Sequence, residues 1–463
     1  MSTEIQKLEE LKKALEAGGY NAAPGALTQG SALQMEDLSP VMNVATFDDS
    51  KIKLQKQLKV VPAKGTLVQY NRQLDYGVFG GSAVLEGAVG QEETSSFVRA
   101  VVPMAYYVHV RRFTMQANMI QAFDGVKAED RVEADAALKI AGDIEFHLFR
   151  GKAMFSNAGL FDGNPLAMSP DEPGMMGLDP QIRVSDSETS TQDLMFNEYG
   201  ADGSVAINQG GVLSQSTIED VYARAQMNHG APEKLYLDPL THSAYNKIAF
   251  NKERIVLAGS PQNATGASLK EQFVAGGAIA LESSRFLSAK TAPARARVGA
   301  PAAPSASSAQ VAGSTSFASG EVYAYSVSAV GDLGESPASA DVAVTIASAG
   351  NQVQLTITPA SGIVARYFNV YRTAAGGSRK SLIGRVKANA LAAVSFIDLN
   401  NRLSQGITAF ALDMRGIEIH ELSSYKSVEL AMTDLSKPKA FFRFACVVAK
   451  LPRFSILVDN VLP

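Results

Sequence analysis

Residues 127–150 read KAEDRVEADAALKIAGDIEFHLFR, and the spacing within this stretch decides the fold class. Val132, Ala136, Ile140, Ile144 and Leu148 step by four, and Ala137, Ala141 and Phe149 widen the same stripe. Arg131, Glu133, Asp135, Lys139, Asp143 and Glu145 fall on the other side. That pattern is the period of a helix with one buried face. At 1.5 Å per residue the helix is about 36 Å long. Gly151 supplies the stop.

Upstream, residues 62–114 form a different kind of object. Gly65–Tyr70 is strand-like, Tyr76–Gly81 is a Gly-rich tip, and Ser96–Pro103 with Tyr106–Val110 form a long return arm. Two β-rich arms around a Gly-rich, acidic middle predict an extended hairpin. A lone hairpin is marginal in water, so it needs a surface to lie on, most readily that of another subunit. Its charged residues Lys64, Arg72, Asp75, Glu92, Glu93 and Arg99 are candidate intersubunit contacts. Glu92 and Glu93 with Arg99, and Asp75 with Arg72, have the charges of ion pairs across such a contact; solvated surface charge is the alternative. Before the hairpin, residues 1–61 read as an arm. Ile5, Leu8, Leu11 and Leu15 sit at helical spacing ahead of Gly18-Gly19, and the rest lacks periodicity. This amphipathic helix is expected either to dock on its own domain or to contact a neighbour.

Downstream of the helical segment 115–151, residues 152–212 are turn-rich. Ser216–Val221 then opens a helix, Leu235-Tyr236-Leu237 is a buried strand before Pro239, and a helix covers 240–249. Helix, strand and helix in 152–297 give an α+β domain. The composition changes at about residue 298. Residues 301–319 carry no charge, and the alternating runs Val322–Val330, Val342–Ile346, Val353–Ile357, Arg366–Arg372 and Ser381–Val386 follow. Such short, regularly spaced strands predict an inserted all-β sandwich of roughly 100 residues, 298–401. Tyr323, Tyr325, Val327, Tyr367 and Val370 are its expected core. Both junctions read as Ala/Pro/Gly-type or polar loops, so the host is expected to fold without the insert. Residues 402–463 return to the host composition, with Phe441–Val448 and Phe454–Val458 as buried strands. The host is therefore discontinuous.

The 463 residues carry 46 acidic and 42 basic side chains, a net charge of −4. This balance disfavours a dedicated nucleic-acid binder, which carries a basic stripe. The single cysteine, Cys446, excludes an intrachain disulfide and sits in an apolar run as a small buried thiol. No apolar stretch reaches the ~20 residues of a membrane helix. The N-terminus has no signal-peptide core, so a soluble protein made in the cytoplasm is expected. Phosphate-loop, dinucleotide and nucleophile-elbow motifs are missing from the sequence. The five histidines, His109, His147, His229, His242 and His420, are scattered without metal-ligand spacing. Asn263-Ala264-Thr265 matches a glycosylation sequon, with nothing to place it in a secretory pathway. The expectation is a protein without cofactor, metal or catalysis.

Two resemblances follow from these phrases. Tyr323–Val327 with Gly334-Glu335-Ser336 resembles the penultimate strand and following loop of fibronectin type III and immunoglobulin-like domains. Tyr367–Arg372 resembles their third strand. The order of the two is reversed here, as in a circularly permuted member. Arm, hairpin, long helix, α+β domain and closing C-terminal strands resemble, in that order, the Hong Kong 97 capsid fold of tailed bacteriophages. The likeness covers everything outside 298–401 and rests on element order and short phrases rather than on an invariant motif. It identifies 62–114 as the E-loop, 115–151 as the spine of the peripheral domain and 152–297 as the axial domain. It implies a major capsid subunit of the virion, assembled in the host cytoplasm. Hexamers and pentamers would tile an icosahedral shell around double-stranded DNA without reading its sequence. A separate scaffolding protein, a portal and decoration proteins are the implied partners, and no membrane is. Competing readings are an encapsulin-type nanocompartment, a carbohydrate-binding or adhesive module carried by the insert, and a hydrolase using His109 or His147.

Overall fold

A computed structural model of the chain describes residues 49–73, 76, 82–90, 92–95, 97–119, 127–151, 174–184, 205–249, 270–295, 299–331, 333–432 and 434–463. In chain order the first elements are α1 (Leu54–Gln57), β1 (Lys59–Pro62), β2 (Leu67–Gln73), β3 (Phe97–Pro103), β4 (Ala105–Thr114), α2 (Met115–Met119) and α3 (Ala128–Arg150). They continue as α4 (Leu178–Val184), β5 (Ala206–Asn208), α5 (Gln215–Met227), β6 (Lys234–Leu237), α6 (Pro239–Ala249), β7 (Glu271–Val274) and β8 (Gly277–Ser283). The insert supplies β9 (Ser305–Val311), β10 (Val322–Val330), β11 (Val342–Thr345), β12 (Gln352–Thr358), β13 (Tyr367–Thr373), β14 (Lys380–Lys387) and β15 (Val394–Asp398). The chain ends with β16 (Ile407–Leu412), β17 (Ile417–Glu429), β18 (Ser436–Ala449) and β19 (Ile456–Val461). The architecture is mixed α+β.

The long helix α3 buries the stripe its spacing predicts. Ala136, Ile140, Ile144, Leu148 and Phe149 are covered, and Val132 packs at the margin of the same core. The Phe149 ring meets Tyr236 of β6 and Phe410 of β16, with centroids 5.4 and 5.3 Å apart. The helix end lies directly on the backbone of the next segment: Gly177 N–H donates to the Gly151 carbonyl at 2.8 Å. A Cβ on Gly151 would come within 2.2 Å of the Met175 carbonyl oxygen, so only glycine fits there.

One residue departs from the expected face. Glu145, placed by the pattern among the solvated charges, is fully buried. Its Oε1 accepts from the backbone N–H groups of Lys53 (3.1 Å) and Leu54 (2.8 Å), and its Oε2 from that of Gln55 (2.9 Å). A helix start leaves its first amides without intrahelical partners, and a carboxylate borrowed from α3 satisfies those of α1. Burial outweighs these bonds and raises the carboxyl above its usual range. Glu145→Ala leaves several amides unsatisfied. It should cost at least about 1–3 kcal/mol of stability by urea denaturation; a loss inside experimental error would refute the capping role.

Two sheets organise the host, the part of the chain outside 298–401. The first has four strands in the order β1-β17-β18-β4, with β1 parallel to β17 and the rest antiparallel. The second has six in the order β5-β19-β16-β6-β8-β7. Strands β16 to β19 enter both sheets, so the last segment of the chain closes the host. The apolar run Phe441–Val448 becomes part of β18, flanked on both edges, with alternate residues on two apolar faces.

The turn-rich reading of 152–212 is corrected where the structure describes that segment. Residues 178–184 form the helix α4, with Leu178 to Arg183 buried. It is too short to display a period, and its Asp179, Gln181 and Arg183 hid its burial. The reading of 62–114 as one hairpin is also sharpened. Only β2 and β3 form a two-stranded ribbon, in register from Leu67↔Pro103 to Gln73↔Phe97. Strand β4 leaves it and pairs with β18, because alternate residues Ala105 and Tyr107 bury against α3.

The described strands between 298 and 401 make a sandwich of a four-stranded sheet, β11-β10-β13-β14, and a three-stranded sheet, β15-β12-β9. Tyr323, Tyr325, Val327, Phe368 and Val370 share its core with Val353, Leu355 and Ile357. Tyr367 does not: it is half-buried outside that core, and the Arg385 guanidinium lies 4.2 Å above its ring. The alternation of β13 carries Tyr367 to the face opposite Phe368.

Candidate assembly surfaces

The base of the β2–β3 ribbon lies on its own domain. Val102 and Met104 bury against Cys446 and Val448 of β18, with Ala63, Val68, Tyr70 and Phe444 around them. The Tyr70 hydroxyl donates to the Ala449 carbonyl at 3.0 Å. Cys446 is fully buried, and burial pushes its thiol up to about 12, so it is inert near neutrality. The surface the hairpin was expected to need is, at its base, that of its own subunit.

Farther out the ribbon stands clear. Tyr76, Leu85 and Val89 are 91, 86 and 92% exposed, and Phe97 is 68% exposed. Apolar side chains this open, on the ribbon and the described residues beyond it, make this end a candidate contact surface. Leu85, Val89 and Phe97 were not among the candidate residues; the signal available was their apolar character within a Gly-rich, otherwise polar segment.

Among the charged candidates, Lys64, Glu92, Glu93 and Arg99 are exposed. Arg99 donates to Asn71 Oδ1 across the ribbon at 3.2 Å, a bond between directly opposite residues. Arg72 is buried instead of displayed, which removes it from the open surface of the ribbon. Asp75 and the arm residues Ile5, Leu8, Leu11 and Leu15 lie outside the described residues. Val132, Ile140, Ile144 and Leu148 pack within the subunit.

A second surface, also missed in the sequence, lies on the face of the four-stranded host sheet away from α3. Tyr106, Val108 and Val110 of β4 are 51, 59 and 52% exposed. Opposite them on β18 lie Phe444, Phe442 and Ala440. Tyr106 meets Phe444 edge-on at 5.0 Å, and Phe442 stacks with Phe444 at 5.1 Å. The ribbon base covers one end of this apolar shelf and leaves the other open. The stretch Tyr106-Tyr107-Val108-His109-Val110 carried the signal, since the face with Tyr106, Val108 and Val110 is apolar while the opposite face also bears Tyr107.

The histidines considered for hydrolysis serve the fold. Tyr107 Oη and His147 Nδ1 share a hydrogen bond of 3.0 Å between β4 and α3. Burial lowers His147 to about 4, so it is neutral near pH 7, and burial also raises the Tyr107 hydroxyl. His109 accepts from Arg111 Nε at 3.1 Å and is lowered by burial and by that cation. Among the described residues no three His, Cys, Asp or Glu side chains gather as a metal site would require. No described helix is long and apolar enough to cross a membrane.

No family model matches the chain. It is 22% identical over 459 residues to a "Putative major capsid protein" of Enterococcus phage phiEF24C, covering 96% of this chain and 93% of the relative. Similar solved structures include the capsid of a native GTA particle, at 10% identity, 95% of this chain, 100% of that chain and a TM-score of 0.48. They also include the holo-SrpI encapsulin complex of Synechococcus elongatus PCC 7942, at 7% identity, 91% of this chain, 92% of that chain and a TM-score of 0.38. Both scores fall below 0.5, and neither likeness bears on function. The likeness to the phage protein, which runs the length of both chains, supports the recognition of this chain as a major capsid protein of a tailed bacteriophage.

Proposed function

We propose that the chain is a capsid subunit that joins its neighbours head to tail, the open end of its β2–β3 ribbon lying on the apolar shelf of the next copy. The observation that carries this is the presence of both halves of the contact on one chain. Leu85, Val89 and Phe97 project from the ribbon, and Tyr106, Val108 and Val110 lie open on the sheet face beside its base. A contact between two different patches of identical chains is heterologous, and such contacts close into rings when the rotation permits. Rings of five and six are the units from which an icosahedral shell is tiled. Extended elements also add buried area that a compact domain cannot offer, moving the contact towards the obligate class.

On this reading the ribbon is the E-loop, α3 the spine helix, and the six-stranded sheet with α5 and α6 the axial domain. The sandwich is an immunoglobulin-like domain inserted between β8 and β16. Its central pair, β10 and β13, is antiparallel from Tyr325↔Arg372 to Val330↔Tyr367, the pairing expected if Tyr323–Val327 and Tyr367–Arg372 are its penultimate and third strands in reversed order. The role is structural, with no catalytic step. The shell encloses double-stranded DNA, held without sequence reading by a chain of net charge −4. A separate scaffolding protein, a portal and decoration proteins complete it, and assembly takes place in the host cytoplasm.

Negative-stain microscopy of the expressed protein, alone and with the scaffolding protein of its phage, tests this. Closed shells are expected. A protein that stays monomeric under all assembly conditions and is missing from virions would overturn the reading. Shells that form around an enzyme cargo and exclude DNA would instead establish the encapsulin alternative.

A further inference from the structure

We propose that the insert is locked to the six-stranded host sheet as one rigid body, by a buried polar seam along the outgoing segment 399–405, and does not hang on loose junctions. The seam starts inside the sandwich. Arg372 of β13, 1% exposed, donates through Nη1 to Asp398 Oδ2 at 2.5 Å and through Nη2 to Asn400 Oδ1 and the Arg402 carbonyl, both at 2.7 Å. Its guanidinium also lies 5.2 and 5.1 Å from the ring centres of Phe317 and Tyr323. The fork of a buried arginine therefore spans from the sandwich core to the backbone that leaves it.

The next links continue without a gap. Ser404 Oγ donates to the Arg372 carbonyl at 2.7 Å and lies 2.9 Å from Ser381 Oγ of β14, which accepts the Gln405 amide at 2.5 Å. On the host side, Asn460 of β19 takes the Leu403 amide on Oδ1 at 2.9 Å and donates through Nδ2 to the Asn401 carbonyl at 2.9 Å. The same Nδ2 donates to Asn208 Oδ1 of β5 at 2.8 Å, tying the seam to a second strand of that sheet. Asn400, Gln405 and Asn460 hold left-handed backbone, with φ of 59°, 66° and 55°. Non-glycine residues keep that conformation only where their surroundings fix it.

The incoming chain is stapled to the same sandwich sheet. Thr291 bridges Ser381, the Leu382 amide donates to the Lys290 carbonyl at 2.9 Å, and the Ala338 amide donates to that of Pro293 at 3.0 Å. Lys290 Nζ reaches Glu335 Oε2 at 2.5 Å. Glu335 Oε1 gathers the hydroxyls of Ser328 and Tyr371, at 2.5 Å each, and Asn369 Nδ2 at 2.7 Å. These three side chains point away from the sandwich core, yet all are fully buried. The polar face of a sheet that would be solvated in a free domain is closed over here. Two crossings of the chain, the outgoing one anchored by buried side chains and the incoming one by backbone bonds and the Lys290–Glu335 pair, leave no hinge.

Hydrogen exchange on the full-length subunit tests this at single amides. The Leu403 and Gln405 amides should be protected to the level of neighbouring β16, and host and sandwich should unfold in one thermal transition. Asn460→Ala should speed exchange at Leu403 about tenfold, the scale of one lost hydrogen bond. Ser381→Ala should do the same at Gln405, and both variants should keep the protection at the centre of β12. Leu403 and Gln405 exchanging at unstructured rates in the unmodified protein would overturn the proposal. So would two separate thermal transitions, or protection at both amides unchanged by either substitution.

Discussion

Replacing Arg183 by leucine should remove about 3–5 kcal/mol from the unassembled subunit, most of its margin of stability. The Arg183 fork donates to Asp459 through Nη1 at 2.7 Å and Nη2 at 2.6 Å, and through Nε to Asp179 Oδ1 at 2.6 Å. The Thr408 hydroxyl adds a bond to Asp459 Oδ1 at 2.7 Å. All three charged side chains are buried. The cluster joins α4 to the adjacent strands β19 and β16 of the six-stranded sheet. Leucine would take from two buried carboxylates the fork that pairs them, and that loss of compensating charge is the main cost.

The pH dependence gives the test a sign. Burial alone would push the Asp459 carboxyl up, but the charge and hydrogen bonds of Arg183 hold it below the usual carboxylate range. A depressed folded value contributes stability that is full above the unfolded value, about 3.9, and is lost as pH falls through the lower folded one. In Arg183→Leu the same carboxylate is buried without its partner, so its folded value rises and protonation becomes favourable. The variant should therefore regain stability between neutral pH and pH 5, where the unmodified protein gains nothing from this group. Urea titrations at several pH values would show it; a variant deficit that is small and independent of pH would refute the account.

The elements that could be read from the chain alone are those whose own spacing settles their structure. The α3 stripe repeats over five turns, and the strands of the insert alternate within a few residues. What escaped reading depends on partners far along the chain. Glu145 looks like any carboxylate on a polar helix face until the amides of Lys53, Leu54 and Gln55 arrive from some ninety residues away. Arg72 sits in the polar run Asn71-Arg72-Gln73 and still turns inward. Helix α4 hid for the same reason, since its buried charges imitate a surface turn. The assembly surface divided likewise. The existence of a ribbon followed from alternation and a Gly-rich tip. Which of its side chains stay open depends on how far the ribbon base runs over β18, and no local pattern encodes that overlap.

Leu85→Asp combined with Val89→Asp should abolish shell formation while leaving the subunit as stable as before. Both side chains are almost wholly open in the isolated chain, at 86 and 92% exposure, so changing them removes no intrachain packing. Surface substitutions of this kind move folding stability by less than about 0.5 kcal/mol. In a ribbon-on-shelf contact each leucine or valine contributes about 1.5–3 kcal/mol by leaving water, and an aspartate there adds the cost of burying a charge without a partner. The contact recurs at every neighbour, so losing it at one compounds around each ring. Val108→Asp, on the shelf side, should give the same loss of shells, because the two patches are halves of one interface. It replaces a side chain that is 59% exposed in the isolated subunit, so its monomer should also survive. Sedimentation and negative-stain microscopy read assembly, and urea denaturation of the same preparations reads folding. Shells formed at unmodified yield by the ribbon variant would refute the ribbon contact. Shells lost only in the ribbon variant would show that the ribbon lands elsewhere on its neighbour.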